Sequence, residues 1–217
     1  MKMKERLKTH FLVEGWLVLL LCLGFGGALS AIQMKLHPII EENKKNEIFR
    51  TIPGLIFKDY PSASTQAGSH AITPLFVKSQ KQGGKRSYAV FQVKDPKGDI
   101  AGWAVRGAGQ GYADRIELIL GLSPSADTVT GLFILEQKET PGLGNKINEV
   151  KWREQFIGKK TESALSAVKG RAMKSNEIDA ISGATISSVS VCRIINQMVA
   201  EVKAPLKTKW DETRSDQ

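Results

Sequence analysis

Tyr88–Val93 (YAVFQV), Ile100–Val105 (IAGWAV), Arg115–Gly121 (RIELILG) and Val129–Leu135 (VTGLFIL) are short apolar segments separated by turn-forming residues, and their spacing decides the fold. The breaks are Asp95-Pro96-Lys97-Gly98 and Ser123-Pro124-Ser125-Ala126-Asp127. A fifth segment, Leu75-Phe76-Val77, is set off by Gln82-Gly83-Gly84-Lys85. Short runs rich in β-branched and aromatic residues, bounded by Gly, Pro, Asp and Ser, read as strands. A parallel crossover needs roughly a dozen connecting residues or more. The gaps here are shorter, so the segments predict antiparallel hairpins.

Downstream of the strands the period lengthens. Helices are expected over 150–157 and 161–169, and a stronger one over 188–202, where Val191, Ile194, Ile195, Met198 and Val202 share one face. Strands followed by helices predict an α+β domain, an antiparallel sheet packed against helices, over residues 71–205. Residues 206–217 read as a polar C-terminal tail. Residues 33–70 read as a connecting helix and linker. The helix carries Ile39, Ile40 and Ile48 among Glu and Lys and stops at Ile52-Pro53-Gly54, because Pro and Gly break helices. The Ser-, Thr-, Ala- and Gly-rich stretch 61–73 reads as a loop.

The N-terminus carries a different signal. Trp16–Ile32 holds no charge, and from Phe11 onward only Glu14 interrupts the apolar run. Roughly 20 apolar residues cross a bilayer, so 11–32 reads as a single-pass anchor behind a basic tail, residues 1–10. Lys2, Lys4, Arg6 and Lys8 face only Glu5 there. The positive-inside rule keeps the N-terminus cytoplasmic and exports the rest. The competing reading is a cleaved signal peptide with Ala28-Leu29-Ser30 at the cleavage site, although the run exceeds a typical h-region of roughly 7–15 residues. Small pairs such as Gly24/Ala28 and Gly26/Ser30 either allow close helix approach or reflect tolerance of Gly in membrane helices. Glu14 reads as an interfacial carboxylate, with an ion-pathway role as the alternative.

Composition narrows the chemistry. The chain has 31 basic and 22 acidic residues, a formal charge of +9. Part of that excess lies in the basic tail, the rest is dispersed, and no recognition motif accompanies it, so nucleic acid is not the expected partner. Cys192 has no cysteine partner outside the apolar segment, and His10, His37 and His70 are scattered. Neither a disulfide framework, an iron–sulfur cluster nor a metal site is expected. Redox chemistry would need an organic cofactor. Gly107-x-Gly109-x-Gly111 has Tyr112 where a dinucleotide fingerprint needs its third Gly, and no βαβ unit surrounds it.

Two motifs remain. Asp179-x-x-Ser182-Gly183-Ala184-Thr185 precedes the strongest helix, with Ser187 and Ser188 as expected N-caps. A Thr side chain there would project near a helix N-terminus, where free N–H groups and the dipole favour phosphate. An ordinary capping loop is the bland alternative. The second motif, Glu139-Thr140-Pro141-Gly142-Leu143-Gly144, directly follows the last expected strand.

Together, and in this order with the anchor, Gly109-Gln-Gly111-Tyr112, Trp152 and Phe156, these motifs resemble the FMN-binding subunits of membrane electron-transfer complexes. The G subunit of the Rnf complex is the better match in length, and the C subunit of the sodium-pumping NADH:quinone reductase is related. The resemblance covers the whole chain. It implies that Thr185 is esterified to the phosphate of FMN. It implies that Ser182, Gly183 and Ala184 line that attachment, and that Glu139, Thr140, Gly142, Leu143 and Gly144 form the loop against the flavin ring. Thr140 and Leu143 are the leading ring contacts. Asp179 with Ser182–Thr185 would be recognised by an FAD-consuming, Mg2+-dependent FMN transferase. Gly111-Tyr112 either lines the pocket or is a plain hairpin turn.

The function so implied is a membrane-anchored flavoprotein relaying electrons within an ion-translocating ferredoxin:NAD oxidoreductase. It would have partner subunits, lipid around the anchor, and the FMN domain on the outer face of the bacterial or archaeal cytoplasmic membrane. A membrane-tethered, non-catalytic flavin sensor or assembly module is the alternative, and a flavin-free structural domain a third. One departure from the pattern is Gln137, where many relatives carry His.

Overall fold

A computed structural model describes residues 2–57, 71–78 and 87–215, with side chains from residue 15 onward. The centre of the expected 61–73 loop, the 82–85 turn, the basic side chains of the tail and the side chain of Glu14 lie outside the described residues. The chain divides into two compact units, Met1–Asn46 and Glu47–Gln217.

The first unit is helical, formed by α1 (Lys2–Phe57), which ends in the second. Its apolar stretch is exposed along its length, from Trp16 to Ile32. Among the described residues, the part beginning at Gly15 is the one helix long and apolar enough to cross a membrane.

The second unit is built on a five-stranded antiparallel meander: β1 (Ala71–Lys78), β2 (Ser87–Lys94), β3 (Ile100–Gln110), β4 (Arg115–Leu122) and β5 (Val129–Glu136). Each strand pairs with its neighbour in sequence. The expected α+β class with an antiparallel sheet is therefore the observed one. Alternate residues point to opposite faces of a sheet, and here both faces are covered. Val90, Trp103, Val105, Leu118 and Leu120 pack with Val191, Ile195, Met198 and Val202 of α3 (Thr185–Ser215). Phe91, Val93, Ala104 and Ile119 pack with Ile48, Ile52, Leu55 and Ile56 from the end of α1. Two-sided burial explains why the strands read as near-continuous apolar runs.

Several elements depart from the sequence reading. The helix expected to stop at Pro53-Gly54 continues to Phe57. Pro53 forfeits one helical hydrogen bond, but Ile52, Leu55 and Ile56 bury against the sheet and hold the last turn. That turn approaches closely because Gly131 has no side chain: a Cβ there would lie 2.8 Å from Leu55 Cδ2. Ala71–Thr73, expected as loop, opens β1. The region 150–157 is only α2 (Val150–Arg153) and a 3-10 turn, Glu154–Phe156.

The expected helix over 161–169 is absent. In its place β6 (Ser166–Val168) pairs in parallel with β7 (Glu177–Asp179). Asn196 on α3 acts as a substitute strand neighbour, accepting the Leu165 N–H and donating to the Leu165 carbonyl, both at 2.8 Å. α3 itself runs past Pro205 to Ser215. Leu206 is fully buried and Trp210 packs on the same core, so the segment expected as a polar tail is helical.

Candidate functional site

Thr185 is the first residue of α3 and half-buried. The turn before it is closed by the Ala184 N–H donating to the Ile181 carbonyl at 2.9 Å, with Gly183 at φ +79°. Ser188 fixes that turn from beneath: its Oγ accepts the Ile181 N–H at 3.0 Å and donates to the Ala184 carbonyl at 3.1 Å. Ser187 and Ser188 are thus not N-caps, since the helix starts earlier than expected. The first N–H groups of any α-helix lack intrahelical acceptors, so the N–H groups beside Thr185 are available to an anion.

The 139–144 loop meets this turn. Thr140 O accepts the N–H groups of Leu143 and Asn145 at 3.2 and 3.3 Å, and Gly142 takes φ +76°. Gly144 opens a 3-10 turn, and a Cβ on it would lie 2.7 Å from Ser187 Oγ. A Cβ on Gly183 would lie 3.0 Å from Leu143 Cδ2. The two motifs therefore share one wall of side-chain-free backbone.

Between them opens a concave pocket of about 800 Å³. Of the residues read from sequence, Thr140, Leu143, Gly144, Ser182, Gly183, Ala184 and Thr185 line it, and so does Tyr112. Glu139, Gly142 and Asp179 are not among the lining residues. The buried Glu139 carboxylate holds three segments together: Oε1 accepts the N–H groups of Tyr112 and Ala113 at 3.0 and 3.1 Å, and Oε2 accepts Ser187 Oγ–H at 2.5 Å. Gln137 Oε1 accepts the Glu139 N–H at 2.6 Å, which is the local work of the residue that departs from the pattern.

Asp179 acts at one remove. Its carboxylate accepts the Ala172 N–H, its N–H donates to Gln155 Oε1, and its carbonyl accepts from Trp152 Nε1. These bonds set the segment carrying Lys169 and Gly170, which reach the pocket from β6. Sequence reasoning missed both, together with Ala180, Ile181, Ile186 and Ser187. Proximity to the Thr185 motif could have named the last four. Nothing in the pattern marks Lys169, the one basic residue among the described residues that line the pocket.

The Gly107-x-Gly109-x-Gly111 spacing also finds its reason. A Cβ on Gly107 would overlap the Met198 side chain, and one on Gly109 would lie 2.6 Å from Ile194 Cγ1. Both glycines admit α3 onto β3. A Cβ on Gly111 would overlap the Glu139 carboxylate.

Residues 111–200 match the family model described as "FMN-binding domain". This segment belongs to that family.

The FMN-binding domain includes every residue that lines the pocket. In sequence the chain is 39% identical over 104 residues to the G subunit of the Na(+)-translocating ferredoxin:NAD(+) oxidoreductase complex of Acetobacterium woodii, covering 47% of this chain and 49% of that protein. It is 34% identical over 135 residues to the C subunit of the Na(+)-translocating NADH-quinone reductase of Haemophilus ducreyi, covering 59% and 52%. The chain thus spans about half the length of these curated relatives. In structure it resembles NqrC of Shewanella oneidensis with a TM-score of 0.66 at 18% identity, over 79% of this chain and 99% of that one. At that identity the likeness establishes the fold.

The residues present fit FMN. A phosphate would be stabilised at the α3 N-terminus near Lys169, and a planar ring would lie on the low wall made by Gly144 and Gly183, with Leu143 and Tyr112 beside it. Most pockets that take small ligands measure roughly 300–1,000 Å³, and this one falls within that range.

Proposed function

We propose that the protein is a membrane-anchored flavoprotein subunit that relays electrons through covalently bound FMN, within an Rnf-type ion-translocating ferredoxin:NAD oxidoreductase complex. The observation that carries this reading is the meeting of the two motifs: Thr185 Oγ1 stands at the first residue of α3, in the same pocket as Thr140 and Leu143.

FMN accepts one or two electrons, so it can link hydride donors to one-electron centres. The chain's own part is to hold and orient. The α3 N-terminus and Lys169 stabilise the phosphate charge, Leu143 and Tyr112 pack the ring, and Thr140 fixes the loop. Attachment joins Thr185 Oγ1 to the FMN phosphorus of FAD. The pyrophosphate bond breaks, AMP leaves, and the hydroxyl proton is lost. An FMN transferase performs this step, with Ser182–Thr185 as the strand it grips and Asp179 holding that strand's approach.

The exposed apolar part of α1 suits a single membrane span. The basic residues before it favour a cytoplasmic N-terminus, with the FMN-binding domain on the outer face. Other subunits of the complex would supply the electron donor and acceptor, in keeping with the names of the relatives.

The test compares the intact chain and Thr185→Ala, each co-expressed with the transferase, by mass and by in-gel flavin fluorescence after denaturation. The expected result is a mass gain of one FMN less one water, and fluorescence that survives denaturation only when Thr185 is present. A dark, unmodified wild-type chain would overturn the covalent reading.

A further inference from the structure

We infer that a second groove, flanked by Gln110 and Arg115, docks an acidic peptide segment of a partner protein. Gln110 and Arg115 bracket the turn that carries Tyr112 into the flavin pocket, so the two sites share one hairpin. The groove has a volume of about 680 Å³ and lies among β2, β3, β4 and α3. Part of its floor is the bare backbone of Gly107 and Gly109.

Its charge is lopsided. Arg106, Arg115 and Arg193 line it against a single carboxylate, Glu117. Arg106 Nε is spent on Glu117 Oε1 at 2.6 Å. Arg193 is held by neutral acceptors, its NH2 donating to the Gln110 carbonyl at 2.8 Å and to Ser190 Oγ at 3.1 Å. Those bonds fix the guanidinium, and among the described residues no carboxylate pairs with it. Arg115 is exposed, and among the described residues its guanidinium makes no ion pair; Asp114 accepts only its backbone N–H, at 2.7 Å.

Two guanidiniums, one on α3 and one on β4, are suited to separate carboxylates, since each planar fork grips a carboxylate by two parallel bonds. The groove is much larger than one oxyanion, which favours a chain bearing several. Charge complementarity of this kind sets register and encounter rate more than raw affinity. The choice of a redox partner rests on the relay reading: a neighbouring protein seated here would lie against the turn that borders the flavin pocket.

The probe is fluorescent hexaglutamate, added to the full chain, co-expressed with the FMN transferase, in zwitterionic-lipid nanodiscs and followed by anisotropy. Binding is expected to weaken roughly tenfold or more in Arg115→Ala/Arg193→Ala, and to fall as salt is raised. Arg115→Glu, at an exposed position, is expected to act in the same direction without disturbing the fold. Equal binding by these variants, no binding by wild type, or displacement by inorganic phosphate as effective as by unlabelled hexaglutamate would each overturn the docking site. In-gel flavin fluorescence on the same samples reads the flavin proposal separately, because a dark gel leaves the peptide measurement intact.

Discussion

Ser187 Oγ donates to Glu139 Oε2 at 2.5 Å, and this bond joins the two motifs across 48 residues of sequence. The other carboxylate oxygen is filled by the N–H groups of Tyr112 and Ala113. One buried side chain therefore fixes the turn bearing Tyr112, the loop bearing Thr140 and Leu143, and the first turn of α3. Truncation would leave the buried Ser187 hydroxyl without its acceptor and release the 112–113 backbone from the loop. Glu139→Ala should cost about 3 kcal/mol of stability, since hydrogen bonds to charged groups contribute about 1.5–3 kcal/mol. Glu139→Gln should recover much of that loss, because its amide oxygen can still accept from the 112–113 backbone. Denaturant titration of the solubilised chain measures both. An Ala variant as stable as wild type would remove Glu139 from the role assigned to it.

Gly183 and Gly142 separate strain from fit. Both adopt positive φ, +79° and +76°, where an L-residue pays about 1–2 kcal/mol. A Cβ at Gly142 meets open space, whereas one at Gly183 lies 3.0 Å from Leu143 Cδ2. The two Ala variants should lose similar stability. On the proposed covalent attachment at Thr185, Gly183→Ala alone should also lower flavin loading, because Leu143 must shift within the pocket. Equal loading in both would mean that the Gly183–Leu143 contact does not shape the site.

These contacts show what the sequence carries and what it does not. Strands β2 to β5 were legible because two-sided burial leaves apolar runs such as Leu132–Leu135, with Gly, Pro and Asp at their ends. The Thr185 and Glu139 motifs were legible as patterns, and the resemblance implied that both face one flavin, but the Ser187–Glu139 bond that holds them together was not legible, since its partners are distant in sequence. The failed helix at 161–169 has a like cause. Its local pattern permits a helix, and the element that keeps Leu165 extended is Asn196, on another part of the chain. Pro53 misled for the converse reason: a local helix breaker was outweighed by burial of Ile52 and Leu55 against a sheet still to come in the sequence. Lys169 reaches the pocket through the parallel β6–β7 pair, an element that no periodicity announced.

Cys192, on the core-facing side of α3, is buried against the sheet, and burial pushes its thiol up to about 12. The thiolate is the reacting species. Iodoacetamide at about pH 8 should therefore leave Cys192 unmodified in the folded Cys22→Ser chain and alkylate it fully once urea unfolds the domain. Rapid alkylation of the folded protein would show that α3 opens readily from the sheet.

Acid should loosen two joints of the FMN-binding domain region. The Lys203 ammonium, 3.2 Å from Asp127 Oδ1, is the main cause that holds the Asp127 carboxyl below its ordinary value, with Ser125 and Lys207 adding to it against partial desolvation. Glu177 is lowered chiefly by the backbone N–H groups of Met173 and Lys174, at 2.9 and 3.1 Å. Both folded-state values lie below the unfolded ones. The stabilisation is thus complete above the unfolded carboxylate values and is lost as pH falls through the folded ones. The melting temperature should hold steady above about pH 5 and drop toward about pH 3. Asp127→Asn/Glu177→Gln should lower it at neutral pH and make the acid drop shallower, by a modest amount because these groups are near the surface. An acid profile of the double variant parallel to wild type would mean that neither carboxylate ties its turn down: Asp127 the β4–β5 turn to α3, and Glu177 the 173–177 turn beside Lys169.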